Sequence, residues 1–369
     1  MKLILSRESL LKPLQMVMGV VDRKQTLPIL SNVLLNINQK LSVVGTDLEI
    51  ELTAHSTGSD TLSTPFQMTL PGRKLLDICR ALPENATIEL YQDRQQVVLR
   101  SHRSRFTLST LPAEDYPNTE PQSVNLKIEL NEQELLKLLQ RTHFAMAQQD
   151  VRYYLNGMLF EFIPGKLRTV ATDGHRLATD TIPADVQEHH RIQVIVPRKG
   201  VMELMRLINS SDGALTVSVG TSYIEVNSDQ YTFISKLIEG RFPDYQRVIP
   251  KNPDRKITIN REEFKQALIR TAILSNDKVR GVFLELKPNL LRLLSNNPEQ
   301  ELAEEELSVS YSGPDFGLAF NVNYLLDVLN ILNSEDIELH FSSAHNNSLL
   351  IADPNGPLDQ AFVVMPMRM

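Results

Sequence analysis

The sequence predicts an α+β protein made of three homologous repeats of about 125 residues, each with two helices and antiparallel strands. Three helix-like segments share an N-cap residue and similar apolar positions, and they begin at Ser6, Asn131 and Asn260. The two Asn caps are each followed three residues later by Glu, as in a capping box. An Arg-Lys pair at 73–74 recurs at 198–199, in a second helix-like segment. Because these landmarks keep one order and nearly one spacing, we expect three copies of one unit.

Further elements follow the same repeat. The helices are expected at 6–18, 73–82, 131–147, 198–208, 260–275 and 321–332. The first strands are expected at 27–35, 153–160 and 279–286, and the second strands should end near Thr46, Thr172 and Asn296. The closing strands are expected at 106–111, 231–237 and 361–365. Pro-rich linkers at 111–121 and 241–253 place the domains at 1–125, 126–253 and 254–369.

The composition is that of an ordinary globular protein, with 42% hydrophobic and 22% charged residues. No apolar run approaches the ~18 residues that span a bilayer, and the start, MKLILSRESL, lacks the apolar core of a signal peptide. Cys79 is the single cysteine and cannot form an internal disulfide, and no Cys/His cluster has metal-ligand spacing. We therefore expect a cytoplasmic protein with no membrane partner, cofactor or metal.

Positive charge is concentrated on the predicted helices. The six segments contain thirteen Lys or Arg and eight Asp or Glu, although the whole chain has a net charge of −7. A basic face on an acidic body favours contact with a polyanion at that face alone. The chain has no tryptophan and no zinc-finger or helix-turn-helix signature that would read bases. The pattern therefore indicates sequence-independent contact with nucleic-acid phosphates.

Segments in all three repeats resemble the bacterial beta-clamp family. They are QDVRYYLNGMLFE at 149–161, TVATDGHRLA at 169–178, TLPIL at 26–30, VPRKG at 196–200, GRFPDY at 240–245, NNPEQE at 296–301 and FVVMPMR at 362–368. The resemblance implies a head-to-tail dimer that closes a six-domain ring around duplex DNA, opened by a clamp loader. It also implies that polymerases and repair enzymes dock on the ring through short linear motifs.

The family resemblance assigns two sets of site residues. The implied partner-peptide pocket consists of Leu155, Thr172, Gly174, His175, Arg176, Leu177, Pro243, Arg247, Val248, Tyr324, Val364, Met365, Pro366, Met367 and Arg368. The implied DNA contacts are Lys24, Arg73, Gln149, Tyr153, Tyr154 and Lys199. Lys24 stands where relatives carry Arg, Asn346-Asn347 replaces a Ser-Ser pair, and the last residue is Met369 in place of Leu.

The resemblance also implies partners: duplex DNA, the DNA polymerase III alpha subunit and other polymerases, the clamp loader, and mismatch-repair and ligase-type proteins. A homodimer needs complementary ends on the first and third repeats. The first end is basic and then apolar, with Arg103, Arg105, Phe106 and Leu108. The third end offers an apolar pair and an acidic run, Ile273, Leu274, Glu299, Glu301, Glu304 and Glu305.

Two other function classes compete with this interpretation. His175 beside Asp173 has the residue types of a general base with its orienting carboxylate, as in a hydrolase. However, no Ser or Cys motif and no GxxxxGK[ST] loop accompanies the pair, and the corresponding positions in the other repeats lack His. A repeat scaffold that binds only proteins would explain an apolar pocket but not the basic helices.

Overall fold

The computed structural model describes residues 2–21, 27–56, 62–119, 123–187, 191–208, 213–250, 253–342 and 348–367. The predicted site residues Lys24 and Arg368 therefore lie outside the described residues, as do Asn346, Asn347 and Met369. The chain forms two compact units. Unit 1 consists of Met1–Gln133 and Met202–Leu237, and unit 2 consists of Glu134–Val201 and Ile238–Met369.

Unit 1 contains two antiparallel sheets, whose strands alternate buried and exposed positions where one face meets the core. Its strands are β1 (Lys2–Ser6), β2 (Asn32–Thr46), β3 (Ile50–His55), β4 (Leu62–Pro71), β5 (Thr87–Asp93), β6 (Gln96–Ser101), β7 (Ser104–Ser109), β8 (Leu126–Asn131), β13 (Ala214–Val219), β14 (Tyr223–Asn227) and β15 (Tyr231–Lys236). One sheet has the order β1-β5-β6-β7 and the other has the order β4-β2-β3-β15-β14-β13-β8. The larger sheet joins the first sequence repeat to the second, because β3 pairs with β15.

Unit 2 is built in the same way. Its strands are β9 (Gly157–Ile163), β10 (Lys166–Thr172), β11 (Arg176–Pro183), β12 (Ile192–Pro197), β16 (Arg255–Asn260), β17 (Gly281–Lys287), β18 (Leu290–Asn296), β19 (Leu302–Ser308), β20 (Phe316–Asn321), β21 (Asp336–Ser342), β22 (Ser348–Ala352) and β23 (Ala361–Val364). The eight-stranded sheet has the order β12-β9-β10-β11-β23-β22-β21-β16, and the four-stranded sheet has the order β19-β18-β17-β20. Pairing of β11 with β23 joins the second repeat to the third.

The described residues contain six α-helices, as the sequence predicts. They are α1 (Arg7–Val17), α2 (Gly72–Ala81), α3 (Glu132–Thr142), α4 (Arg198–Leu207), α5 (Arg261–Ala272) and α6 (Val322–Ile331). The predicted caps form, since Ser6 accepts from the Ser9 amide and Asn260 accepts from the Glu263 amide at 3.0 Å. The buried side chains of each helix recur every three or four residues, as in α5, where Phe264, Ala267, Leu268 and Thr271 face the core.

Several predicted boundaries are wrong. The expected strands at 27–35 and 153–160 begin as 3-10 turns, Pro28–Ser31 and Tyr153–Leu155, and the strands start only at Asn32 and Gly157. Pro28 fixes φ and lacks an amide donor, which suits the first position of a turn better than a sheet. The expected helix at 131–147 ends at Thr142, whose hydroxyl donates to the Leu138 carbonyl, and a 3-10 turn follows.

Candidate functional site

A cavity of about 190 Å³ opens on unit 2 beside the pairing of β11 with β23. Its lining comes from four segments: the stretch before β9, the Thr172–Arg176 turn with the start of β11, the linker at 241–253, and the end of β23 with the residue after it. The lining residues are Arg152, Tyr154, Leu155, Thr172, Gly174, Arg176, Leu177, Pro243, Asp244, Tyr245, Val248, Val363 and Met365. Most of these side chains are apolar. The cavity therefore suits an apolar side chain of a ligand, held by a few polar groups at the rim.

The floor of the cavity is part of a rigid core. Leu177 and Val363 face each other in the β11·β23 register and belong to one buried cluster with Tyr245. Val248 and Met365 are only partly buried against this cluster, so they form its solvent side. A ligand side chain that covered them would be stabilised by roughly 1.5–3 kcal/mol through burial. Met is unbranched and adapts its shape, which allows one pocket to accept different side chains.

The turn between β10 and β11 is held by its own side chains. The Thr172 hydroxyl donates to the Arg176 carbonyl at 2.6 Å and accepts from the Gly174 amide at 3.1 Å. The Asp173 carboxylate accepts from the backbone amides of His175 and Arg176, at 2.8 and 3.0 Å. Gly174 has a φ of +87°, a left-handed conformation that glycine adopts without strain. The TDGHR sequence thus encodes one wall of the cavity locally.

Arg176 links this turn to the third repeat within unit 2. Its Nε donates to Asp173 at 3.0 Å, its Nη1 contacts Asp327 of α6, and its guanidinium lies 4.4 Å from the centre of the Tyr324 ring. His175 is exposed and stacks on Tyr324, with 6.5 Å between ring centres. Because Asp173 is engaged by backbone amides and by Arg176, it does not orient the His175 ring as a catalytic pair would.

Arg152 forms a rim contact that the sequence did not indicate. Its Nε and Nη2 donate to Asp150 at 3.0 and 2.8 Å, and Nη2 also donates to the Asp173 carbonyl at 3.2 Å. The hydrogen bonds from Arg152 lower the pKa of Asp150 to about 2. A β-carbon on Gly174 would approach the guanidinium to 3.0 Å, so glycine also makes room for Arg152. Its place in the QDVRYY segment is the signal that could have identified it.

A polar network of Tyr245, Glu161 and Arg168 lies next to the cavity floor. The Tyr245 hydroxyl donates to Glu161 at 2.8 Å and accepts from Arg168 at 3.0 Å, and Arg168 also pairs directly with Glu161. Burial raises the pKa of Tyr245, so the phenol remains a donor through neutral pH. This network fixes the ring that forms part of the cavity floor.

The structure brings together about half of the predicted pocket residues. Those that line the cavity are Leu155, Thr172, Gly174, Arg176, Leu177, Pro243, Val248 and Met365. Val364 is buried in β23, and Arg247 is exposed on the 3-10 turn Tyr245–Arg247. Pro366 and Met367 are not among the lining residues, and the Met367 amide donates to the Ala319 carbonyl of β20. The sequence missed Val363, Tyr245 and Asp244.

The predicted DNA contacts lie on exposed turns and helix starts. Arg73 is exposed on α2 of unit 1, with a loose ion pair to Asp77 at 3.8 Å. In unit 2, Gln149 and Tyr153 are exposed before β9, and Lys199 is exposed at the start of α4. Tyr154, in contrast, is half-buried and lines the cavity described above.

Several helix arginines have structural partners. Arg7 donates to the Cys79 carbonyl at 2.7 Å, Arg141 pairs with buried Asp180 at 3.0 Å, and Arg261 donates to the Ser334 carbonyl at 3.0 Å. The remaining basic side chains include exposed ones on α1 to α4, namely Lys12, Arg73, Lys74, Arg80, Lys137 and Lys199. The surface available for phosphate contact is therefore smaller than the count of basic residues suggests.

Each four-stranded sheet has an open edge within the described chain. β7 pairs only with β6 in unit 1, and β19 pairs only with β18 in unit 2. Arg103 and Arg105 are exposed beside the first edge, whereas Phe106 and Leu108 are half-buried and buried. Near the second edge, the Ile273 side chain is 74% exposed and Leu302, which the sequence did not single out, is 61% exposed. Open strands flanked by exposed apolar residues favour pairing with another chain.

The acidic run at the start of β19, Glu299 to Glu305, is partly neutralised within unit 2. Glu305 accepts two hydrogen bonds from Arg270 at 2.7 and 2.8 Å, and Glu304 pairs with Arg292. These arginines lower the pKa of both carboxyls. Leu274 is half-buried, and Glu299 and Glu301 are exposed. The charge available to a partner is thus smaller than the run of four Glu suggests.

The described residues contain no group of three or more His, Cys, Asp or Glu side chains placed to hold a metal ion. None of the described helices is long and apolar enough to cross a membrane.

Comparison with known proteins gives a consistent result along the whole chain. Family models for the DNA polymerase III beta subunit match its N-terminal domain at 1–120, its central domain at 129–244 and its C-terminal domain at 246–368. The chain is 48% identical to the beta sliding clamp of Pseudomonas aeruginosa over 370 residues, which covers 100% of both proteins. The beta sliding clamp of Escherichia coli K12 has the same identity and coverage.

A solved structure is equally similar. The crystal structure of the DNA polymerase III subunit beta from Pseudomonas aeruginosa has a TM-score of 0.96, 48% identity and 100% coverage of both chains.

Proposed function

The chain belongs to the DNA polymerase III beta subunit family, and on that basis we propose which of its surfaces bind DNA, partner proteins and a second copy of itself. It is a DNA sliding clamp, a processivity factor without catalysis of its own.

Partner proteins insert a short peptide into the cavity of unit 2. The observation that carries this proposal is the partly buried apolar wall of Val248 and Met365, which lies over a rigid core and beside a turn held by its own hydrogen bonds. A preformed wall loses little entropy when a ligand binds. His175, Tyr324 and Arg247 contribute to the rim of the cavity. The C-terminal residues Val364, Pro366, Met367 and Arg368 complete the site. The ligands are short motifs of the polymerase III alpha subunit, other polymerases, the clamp loader and mismatch-repair and ligase-type proteins.

Two copies close a ring through the open edges. Inside the chain, the closing strand of one repeat pairs with the strand after the turn of the preceding repeat, as β15 does with β3 and β23 does with β11. By the same rule, β7 of one copy pairs with β19 of another. The contact joins two different surfaces, and two such contacts form a closed dimer when the rotation fits. Arg103 and Arg105 face the acidic strand, and Ile273, Leu274 and Phe106 supply apolar area.

DNA passes through the ring and is held by topology more than by affinity. Lys24, Arg73, Gln149, Tyr153, Tyr154 and Lys199 contact phosphates without reading sequence. Because the exposed basic residues are scattered and the chain has a net charge of −7, these contacts are weak and depend steeply on salt.

The three domains extend over 1–125, 126–253 and 254–369. The protein acts in the cytoplasm, where the thiol of Cys79 stays reduced.

The test loads the protein onto nicked circular DNA with a clamp loader and ATP, and measures DNA-bound protein after gel filtration. We expect stable retention on the circle and loss once a restriction enzyme linearises the DNA. Retention on the linear product, or tight binding to a short open duplex, would contradict encirclement.

A further inference from the structure

We infer that the junction of the first and second repeats holds a second peptide-binding site, for a partner segment with a basic side chain beside an apolar one. The inference extends the proposed peptide role of the unit 2 cavity. Unit 1 has a cavity of about 330 Å³ at the corresponding place in the repeat. Its walls are the turn after β2, the linker after the first repeat, and residues of β14 and β15. They include Leu48, Glu49, Glu51, Thr119, Tyr223, Ile234 and Lys236.

The turn of this cavity has the hydrogen bonds of the Thr172–Arg176 turn. The Thr46 hydroxyl donates to the Ile50 carbonyl at 2.8 Å and accepts from the Leu48 amide at 3.1 Å. The Asp47 carboxylate accepts from the amides of Glu49 and Ile50 at 2.9 and 2.7 Å. Leu48 takes the place of Gly174 and keeps its left-handed backbone, with a φ of +75°. The two turns are therefore the same structure with different side chains.

The strand beside the turn also corresponds. The Lys236 amide donates to the Glu49 carbonyl at 2.8 Å, as the Met365 amide donates to the His175 carbonyl at 2.8 Å. Because these two hydrogen bonds match, Lys236 occupies the position of Met365. The linker next to this strand is anchored by Tyr116, whose hydroxyl donates to the Val44 carbonyl at 3.2 Å.

The chemistry of the walls differs from that of the unit 2 cavity. Glu49 stands where the other turn has His175, and Glu51 stands where it has Leu177. Glu51 accepts from the amide and hydroxyl of Thr119, at 3.0 and 2.9 Å, and so fixes the linker wall. The exposed Glu49 can then receive a Lys or Arg side chain of a ligand.

An apolar surface lies next to this carboxylate. Leu48 is 40% exposed, and Tyr223 and Ile234 are half-buried in the same cavity. An apolar ligand side chain can cover them while its basic neighbour reaches Glu49. The positive charge of Lys236 repels a basic ligand, so the complex should be weak. The unit 1 cavity should select ligands by their charge, whereas the unit 2 cavity should select them by their apolar side chains.

The test uses tryptophan fluorescence, because the chain has no tryptophan. Tyr223→Trp places a lone reporter in the unit 1 cavity, and Tyr154→Trp places a matched reporter in the unit 2 cavity. The probe is acetyl-Gly-Leu-Arg-Leu-Gly-amide, and the control peptide has Glu in place of Arg. We expect a saturable shift with Tyr223→Trp and the Arg probe but not with the Glu peptide, whereas Tyr154→Trp should not distinguish the two peptides, because the unit 2 cavity selects for apolar side chains.

Adding Glu49→Lys to the Tyr223→Trp protein should weaken the Arg probe about tenfold, which corresponds to ~1.4 kcal/mol. Adding Lys236→Met should strengthen it. The inference is overturned if the Tyr223→Trp signal does not saturate, if the Glu peptide gives the same response, or if Glu49→Lys changes nothing. Binding of the alpha subunit to the Tyr223→Trp protein, whose unit 2 cavity is unchanged, reports separately on the proposed function, so the second site and the proposed function can be refuted independently.

Discussion

At the scale of single residues, the contribution of a buried hydroxyl to stability depends on whether its hydrogen-bond partners are charged. Arg168 and Glu161 are charged, yet their side chains are only 14% and 12% exposed, and Tyr245 bridges them. Groups in such a network interact strongly because little water screens them. Tyr116, the corresponding tyrosine of the first repeat, donates its hydroxyl to neutral backbone carbonyls, those of Asn32 and Val44. The two tyrosines therefore contribute differently to stability.

Tyr245→Phe should lower the free energy of unfolding by about 1.5–3 kcal/mol, because it removes hydrogen bonds to charged partners. Tyr116→Phe, the matched control, should cost about 0.5–1.5 kcal/mol, since its partners are neutral. Urea titrations followed by circular dichroism measure both. Since burial raises the pKa of Tyr245, its contribution should be complete below pH 10 and be lost as the pH rises through the raised pKa. Equal losses for the two variants would contradict this account.

At the scale of elements, the segment after β23, Met365–Met367, has two roles. Met365 lines the unit 2 cavity and donates its amide to the His175 carbonyl, whereas Met367 is tied to Ala319 of β20. Removing the whole segment would therefore disturb packing as well as binding. A point substitution at Met365 separates the two, because unit 1 tolerates Lys236 in the same backbone position.

Met365→Lys should abolish measurable binding of the polymerase alpha subunit, since it puts a charge on the apolar wall. The melting temperature and dimer mass should stay near the values of the unchanged protein. Surface plasmon resonance with the alpha subunit measures binding, and Lys236→Met is the matched control that leaves it unchanged. Unaltered affinity of the Met365→Lys protein would show that the cavity is not the docking site.

At the scale of the whole molecule, the proposed dimer uses one open sheet edge of each unit, β7 and β19. Ile273 is 74% exposed and lies next to β19 through the packing of α5 on that strand. Burying one such side chain contributes roughly 1.5–3 kcal/mol, enough to shift a dimer equilibrium by one to two orders of magnitude. Because Glu304 and Glu305 already pair with arginines of their own chain, the apolar contact should stabilise the dimer more than the acidic run does.

The double substitution Ile273→Ala and Leu274→Lys should convert the dimer to monomers, measured by multi-angle light scattering. Arg103→Glu, a charge change at the opposite edge, should weaken the dimer less and in a salt-dependent way. An unaltered dimer mass for the double variant would contradict the proposed interface.

The three repeats, their α+β class and the six helices could be predicted from the sequence alone, whereas the Thr172–Arg176 turn could not. The predicted features rest on local patterns, such as caps and apolar spacing. Three further features became visible in the folded chain: Val363 and Tyr245 form the cavity floor, Arg141 and Arg261 bond to groups of their own chain, and Glu304 and Glu305 already pair with arginines. Those outcomes depend on contacts between residues far apart in the chain, and no local pattern records which strand edge or carboxylate a folded chain brings near.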